Sequence, residues 1–239
     1  MEFTTNKTIT FAAVVCLVCG VFVAGAAVGL KERQVENEIL DRQRNVLEVA
    51  GIQTATPEEL KAAYAARIQI AEVPLVPGGC EGDKKGGRSP APAENKAKVQ
   101  LLPNCGEVFL VKDAKDAQRV ETIIVPVEGK GLWSTLFGFL ALDPNGVDIK
   151  GLTFYKHGET PGLGGEVDNP RWKAKWVGKK AFKPGDAAPA LFVQKGSARD
   201  EYSVDGLSGA TLTCNGVTHL LRFWLEPERF GSYLKSFKG

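Results

Sequence analysis

From Ile9 to Leu30 the chain carries no charged residue, with Lys7 before the run and Lys31-Glu32-Arg33 after it. As a helix, at about 1.5 Å per residue, this run spans roughly 33 Å, enough to cross the hydrocarbon core of a bilayer. Thr10 is its one polar interruption. Such a segment is either a retained membrane anchor or a secretory signal that is cut away, and Ala24-Gly25-Ala26 has the small side chains of a cleavage site. The run outlasts a signal core and continues through Val28 and Leu30, which favours the anchor. Bulky Val18 before Cys19 argues against lipoprotein processing. Gly25 and Gly29 share a helix face; small pairs of this kind let membrane helices approach closely, although glycine is generally frequent in membrane spans.

The remainder of a 239-residue chain is long enough for one substantial folded domain. Its 44% hydrophobic content fits a packed core, and a net charge of +2 carries no electrostatic footprint for nucleic acid. Cysteine usage gives no metal pattern: Cys16 and Cys19 have C-x-x-C spacing but lie in the apolar run without a matching pair. A zinc or iron–sulfur site within the chain alone is not expected, and no metal ligands are assigned.

Charge gives an orientation. Lys7 precedes the span while Lys31, Arg33, Arg42 and Arg44 follow it, so the positive-inside rule places the main domain in the cytoplasm. Long C-terminal domains escape that rule, because they translocate largely regardless of charge.

Beyond the span, Val35, Ile39, Val46 and Leu47 recur at helical spacing. Thr56-Pro57-Glu58-Glu59 predicts a helix start, with a capping threonine, proline at the first position and glutamate three residues on; Leu60, Tyr64 and Ile68 then line one face. Pro74 to Lys98 is rich in proline, glycine, lysine and alanine and reads as a flexible insertion or surface loop. Cys80 lies in it and Cys105 just beyond; outside the cytoplasm they could form a disulfide worth roughly 3 kcal/mol, and otherwise they are two free thiols. Val108–Val111, Thr122–Val127, Thr135–Leu142, Val147–Tyr155 and Leu191–Val193 are short β-rich runs divided by turn signals such as Pro144-Asn145-Gly146. They stand too close together for many βαβ crossovers, so the fold class is α+β: an N-terminal transmembrane helix, then a largely antiparallel sheet with flanking helices. The divisions are residues 1–8, an N-terminus that is cytoplasmic if the main domain is translocated; 9–30, the span; 31–73, a helical segment packed on the soluble domain; 74–98, the insertion; and 99–239, the domain that carries the chemistry.

Three segments bear that chemistry. In Asp205-Gly206-Leu207-Ser208-Gly209-Ala210-Thr211, a threonine hydroxyl stands among residues with almost no side chain, just before an apolar run, Leu212 to Trp224, that predicts a helix. A helix N-terminus favours a phosphate, although Ser208 or Thr211 could equally be an ordinary cap and Asp-Gly an ordinary turn. The other two are Gly129-Lys130-Gly131-Leu132-Trp133-Ser134 and His157-Gly158-Glu159-Thr160-Pro161-Gly162-Leu163-Gly164-Gly165, which alone are a hairpin connection and a glycine-rich turn.

Together, and in this order, the three segments resemble the covalent-flavin subunit of the sodium-translocating NADH:quinone reductases, their C subunit, and its relative in Rnf electron-transport complexes. The match runs from about Val108 to the C-terminus and, with the anchor, covers most of the chain; the insertion is the part that does not match. The resemblance implies FMN esterified through its phosphate to Thr211, with Ser208, Gly209 and Ala210 around the phosphate and Leu207 beside it. It implies Gly162 and Gly164 letting backbone approach the ring, Leu163 and Trp133 covering it, Thr160 donating to its edge, and Glu159 within the cofactor-binding loop. Asp205 is expected to shape the turn, His157 is a weak candidate contact and His219 a structural residue.

No triad, acid–base pair or dinucleotide fingerprint is visible, so no catalytic residue is assigned and NADH is expected to be oxidised elsewhere. The resemblance implies an electron relay in a bacterial inner membrane with its main domain on the periplasmic side. Its implied partners are the iron–sulfur membrane subunits D and E, the FMN-bearing B subunit and a flavin transferase. The full H-G-E-T-P-G-L-G-G-E string favours the quinone reductase over Rnf. The reading from another class is a membrane-anchored binding or assembly module with no redox role.

Overall fold

The computed structural model describes residues 5–237. The first four positions of the expected 1–8 segment and the last two of the 99–239 domain lie outside the described residues. Two compact units divide at Arg42/Gln43.

The first unit is helical. Helix α1, Thr5–Val49, is 45 residues long, well beyond the roughly 20 that a bilayer core requires. Phe11, Leu17, Phe22 and the other large apolar side chains of its first half are exposed.

The second unit is built on a sheet covered on both faces. Helix α2, Pro57–Arg67, begins as its sequence predicts: the Thr56 hydroxyl accepts from Glu59 N at 3.2 Å while the Glu59 carboxylate accepts from Ala55 N at 2.9 Å. It stops one residue before Ile68, which instead opens β1, Ile68–Pro74. A short 3-10 turn, Gly82–Lys84, leads to β2, Arg88–Pro90, which pairs with β3, Leu101–Pro103. There follow β4, Cys105–Lys112; β5, Val120–Lys130; β6, Thr135–Leu142; and β7, Ile149–Lys156. Strands β1, β4, β5, β6 and β7 form an antiparallel sheet in that spatial order. Beyond it come α3, Pro170–Ala174; β8, Phe192–Gln194, parallel to β9, Ser203–Asp205; α4, Thr211–Trp224; and α5, Ser232–Ser236.

Alternation along the central strands explains the layers. Ile123, Val125 and Leu140 point into the larger core, with Trp172, Trp176, Leu220, Trp224 and Phe230 from the following helices and turns. Ile124, Phe139 and Ala141 point the other way, where they meet Phe109, Val46 and Val49, with Tyr64 packed alongside. A period of two with both sets apolar is the pattern of a sheet buried on each face.

The segment from Pro74 to Lys98 is tied down at several points. Cys80 and Cys105 are joined by a disulfide. Buried Asn104 donates to Lys84 O at 2.9 Å and accepts from Ser89 Oγ at 2.5 Å. Ala97, fully buried, accepts from Lys130 N at 2.8 Å, so the segment's end braces the β5–β6 hairpin.

Candidate functional site

The hairpin between β5 and β6 is closed by Gly131 N donating to Ser134 O at 2.8 Å. Its tip turns Leu132 and Trp133 outward. Trp133 is 67% exposed, whereas Trp172, Trp176 and Trp224 are buried. The base of the hairpin lies on α4, and two glycines permit the approach. A Cβ on Gly216 would stand 2.4 Å from Lys130 O, and one on Gly129 would stand 2.5 Å from Leu220 Cβ.

After β7 the chain makes the His157–Gly165 loop. Glu159 N donates to His157 Nδ1 at 3.2 Å, which leaves Nε2 to carry the ring proton toward Asp168 Oδ2 at 2.7 Å. Gly158 N donates to Ser134 Oγ at 2.6 Å and so joins this loop to the hairpin. Thr160 O accepts from Leu163 N and Gly165 N, with Gly162 in left-handed backbone at φ +74°. Thr160, Gly162 and Leu163 are exposed; Gly164 is buried.

The third segment is anchored at Asp205. Its carboxylate meets Lys175 Nζ at 2.5 Å and Ala198 N at 2.6 Å, and its carbonyl accepts from Trp172 Nε1 at 2.8 Å. The Lys175 ammonium, with the Ala198 N–H, holds the Asp205 carboxyl below the usual aspartate range. Half-buried Leu207 donates its N–H to Cys214 Sγ at 3.2 Å, and burial pushes that thiol up. Gly209 is left-handed at φ +72°, and a Cβ there would stand 2.9 Å from Leu163 Cδ2, so this turn lies against the glycine-rich loop. Helix α4 starts with Ala210 at its N-cap and no side-chain cap. Neither Ser208 nor Thr211 is therefore used as a cap, and both are exposed. Thr211 is the first helical residue, at the positive end of the helix dipole.

Glu159 joins its own loop to the hairpin and to the first turn of α4. It is 5% exposed, and its carboxylate accepts from Trp133 N at 3.0 Å, Ser134 N at 3.1 Å, Leu132 N at 3.2 Å and Thr213 Oγ1 at 2.6 Å, with Ser134 Oγ at 3.4 Å. Burial alone would push this carboxyl up; the Thr213 hydroxyl and the N–H groups of Ser134, Trp133 and Leu132 outweigh it and leave it below the ordinary glutamate range. Two glycines make room for it: a Cβ on Gly131 would stand 2.6 Å from Glu159 Oε1, and one on Gly164 would stand 2.6 Å from Thr213 Oγ1 and 2.8 Å from Glu159 Oε2.

Thus Trp133, Leu163, Ser208, Gly209 and Thr211 stand on exposed surface of segments that touch one another, while Ala210 is buried at the helix start and Glu159 is enclosed by protein donors. His219 lies half-buried on α4, its pKa pushed down by burial and by Lys96 and Arg222. Sequence reasoning did not single out Thr213 and Ser134, the side chains that bind Glu159. Ser134 belongs to the hairpin segment, but nothing in the spacing of Thr213 marks a partner 54 residues away. Leu132, beside Trp133 on the hairpin tip, is an exposed apolar side chain as well.

The model of the FMN-binding domain family matches residues 131–226, which hold all three segments apart from the first two hairpin residues. The chain is 41% identical over 250 residues to the C subunit of the Na(+)-translocating NADH-quinone reductase of Yersinia pestis, covering 98% of this chain and 93% of that protein. It is 44% identical to the C subunit of the Pseudomonas aeruginosa enzyme, over 98% and 96% of the two chains. Among solved structures, the NqrC protein of Shewanella oneidensis superposes with a TM-score of 0.73 at 30% identity, over 82% of this chain and 96% of that one.

Proposed function

This chain belongs to the family of C subunits of the Na(+)-translocating NADH-quinone reductases, and on that premise we propose that it carries FMN as a phosphoester of Thr211 and relays electrons within the membrane complex. The observation that carries the attachment site is the exposed Thr211 hydroxyl at the first position of a helix with no side-chain cap. The phosphate would lie where N–H groups and the helix dipole favour negative charge, with Ser208 and the Gly209–Ala210 backbone beside it.

The rest of the surface fits a flat apolar ring joined to a phosphate. Leu163 packs against Gly209 of the turn that precedes Thr211, and Trp133 and Leu132 stand exposed on the hairpin that Glu159 ties to the same helix. These side chains would cover the ring and exclude water; Gly162 would leave backbone open to it, and Thr160 would offer a hydroxyl at its edge. FMN, when bound, supplies the electron-accepting chemistry, and the chain holds it. An ester keeps the flavin in place where free FMN is scarce.

The reading assigns Ile9–Leu30 as the membrane anchor and the body as periplasmic. Electrons arrive from the iron–sulfur membrane subunits D and E and leave to the FMN of the B subunit, and a flavin transferase makes the ester. The test is the mass of the Thr211 peptide from chain co-expressed with that transferase. It is expected to be heavier by one FMN less one water, and the flavin to survive denaturing electrophoresis as a fluorescent band. Thr211→Val is expected to abolish both signals; a colourless wild-type chain, or a variant that keeps covalent flavin, refutes the attachment.

A further inference from the structure

We propose that Glu159 is the positioning residue of this site, a buried anionic clamp that locks the Leu132–Trp133 hairpin to the first turn of the helix on which Thr211 stands. The proposal rests on the FMN reading for its functional meaning, but its physical claim concerns the flavin-free protein. A hairpin tip leaves backbone N–H groups without ladder partners, and here those of Leu132, Trp133 and Ser134 all turn to one carboxylate. From the opposite side, the Thr213 hydroxyl donates to the same group at 2.6 Å, two residues beyond Thr211. The ring-covering hairpin and the phosphate-bearing helix thereby share one acceptor.

The chemistry calls for a carboxylate in particular. Donors converge from several directions, and an ionised carboxylate accepts on two oxygens and donates nothing. A glutamine offers one oxygen and turns an NH2 group toward N–H donors. The enclosing glycines fix the geometry, since a side chain at Gly131 or Gly164 would occupy the space of Glu159 and Thr213. With its donors all supplied by protein, Glu159 acts through the hairpin and helix and not by touching the cofactor. Its negative charge is bonded to the Trp133 N–H, where it would oppose the arrival of an electron at a ring that Trp133 would cover.

The test uses amide hydrogen exchange on the full flavin-free chain and the flavin midpoint potential on the loaded chain. Glu159→Gln is expected to speed exchange at Leu132, Trp133 and Ser134 about tenfold or more, as befits the loss of charge-assisted bonds, while the β4–β6 core exchanges as before. Thr213→Val, which leaves the hairpin itself untouched, is expected to speed the same three amides by a smaller factor. In the loaded protein, Glu159→Gln is expected to move the potential positive and Glu159→Asp to return it toward wild type. Wild-type exchange at those amides in either variant, or an unchanged potential in Glu159→Gln, overturns the clamp. Should Glu159→Gln fail to fold, the exchange result for Thr213→Val decides. A chain that accepts no FMN would refute the functional reading, and the exchange measurements would still decide the clamp.

Discussion

A carboxylate shut away from water is costly unless donors converge on it, and at Glu159 they come from both the hairpin and α4. Because the folded protein lowers its pKa, the stability Glu159 contributes is present above the unfolded-state pKa and is lost as pH falls through the folded value. Wild type is therefore expected to exceed Glu159→Gln by about 1–3 kcal/mol in urea unfolding near neutral pH, and the gap to narrow as acidification passes below the ordinary glutamate range. Asp113, Asp200, Glu201 and Asp205 also have lowered pKa values, but they are common to both proteins, make no hydrogen bond to Glu159 and cancel in the difference. A gap that stays constant over that range would place the stabilisation elsewhere. At this scale the sequence was legible in part. The three segments are visible as letters, glycines around a lone hydroxyl, but alone they read as turns, and only the resemblance they carry together names the residues. The job of Glu159 is not visible, because a buried carboxylate is defined by partners that only the fold brings near.

Elements built from local signals were the readable ones. The Thr56 cap starts α2, and the β-rich runs become β4 to β8 with their ends shifted by a few residues. Strand β1 was hidden because Leu60, Tyr64 and Ile68 repeat at helical spacing; the helix ends before Ile68 because that residue pairs with Val111 at the sheet edge. Strand β9 has three residues and gains its identity only by lying parallel to β8, a contact no local pattern encodes. Helix α4 shows tertiary packing overriding propensity. A glycine in mid-helix costs about 1 kcal/mol relative to alanine, so propensity alone makes Gly216→Ala stabilising. The new Cβ would stand 2.4 Å from the Lys130 carbonyl and 3.1 Å from Gly131 Cα, backbone atoms that no rotamer change can move. Gly216→Ala is therefore expected to lower stability by roughly 1–3 kcal/mol in chemical unfolding. It should also weaken protection of the hairpin amides, whereas a net gain in stability would show that the hairpin rides free of the helix.

For the molecule as a whole, charge and chemistry point to opposite sides of the membrane. Lys31, Arg33, Arg42 and Arg44 follow the span and only Lys7 precedes it within the described residues, which by charge counting keeps the body in the cytoplasm. The Cys80–Cys105 disulfide points outward, since such bonds persist in the periplasm and are reduced in the cytosol. It also secures the segment whose Ala97 braces the hairpin at Lys130, so a reducing compartment would loosen a support of the site itself. The charge rule is weak for long translocated domains, whereas a disulfide persists only where the compartment is oxidising, and we give the disulfide more weight. Ala117 lies on the exposed turn between β4 and β5 and can be replaced by cysteine there without touching the core. The native free cysteines are poor competitors: Cys214 is buried, and Cys16 and Cys19 fall within the apolar run. In intact spheroplasts an Ala117→Cys chain is expected to react with a membrane-impermeant maleimide, and to show the Cys80–Cys105 linked peptide in a non-reducing digest. Labelling that appears only after lysis would put the body in the cytoplasm and require both thiols to be free.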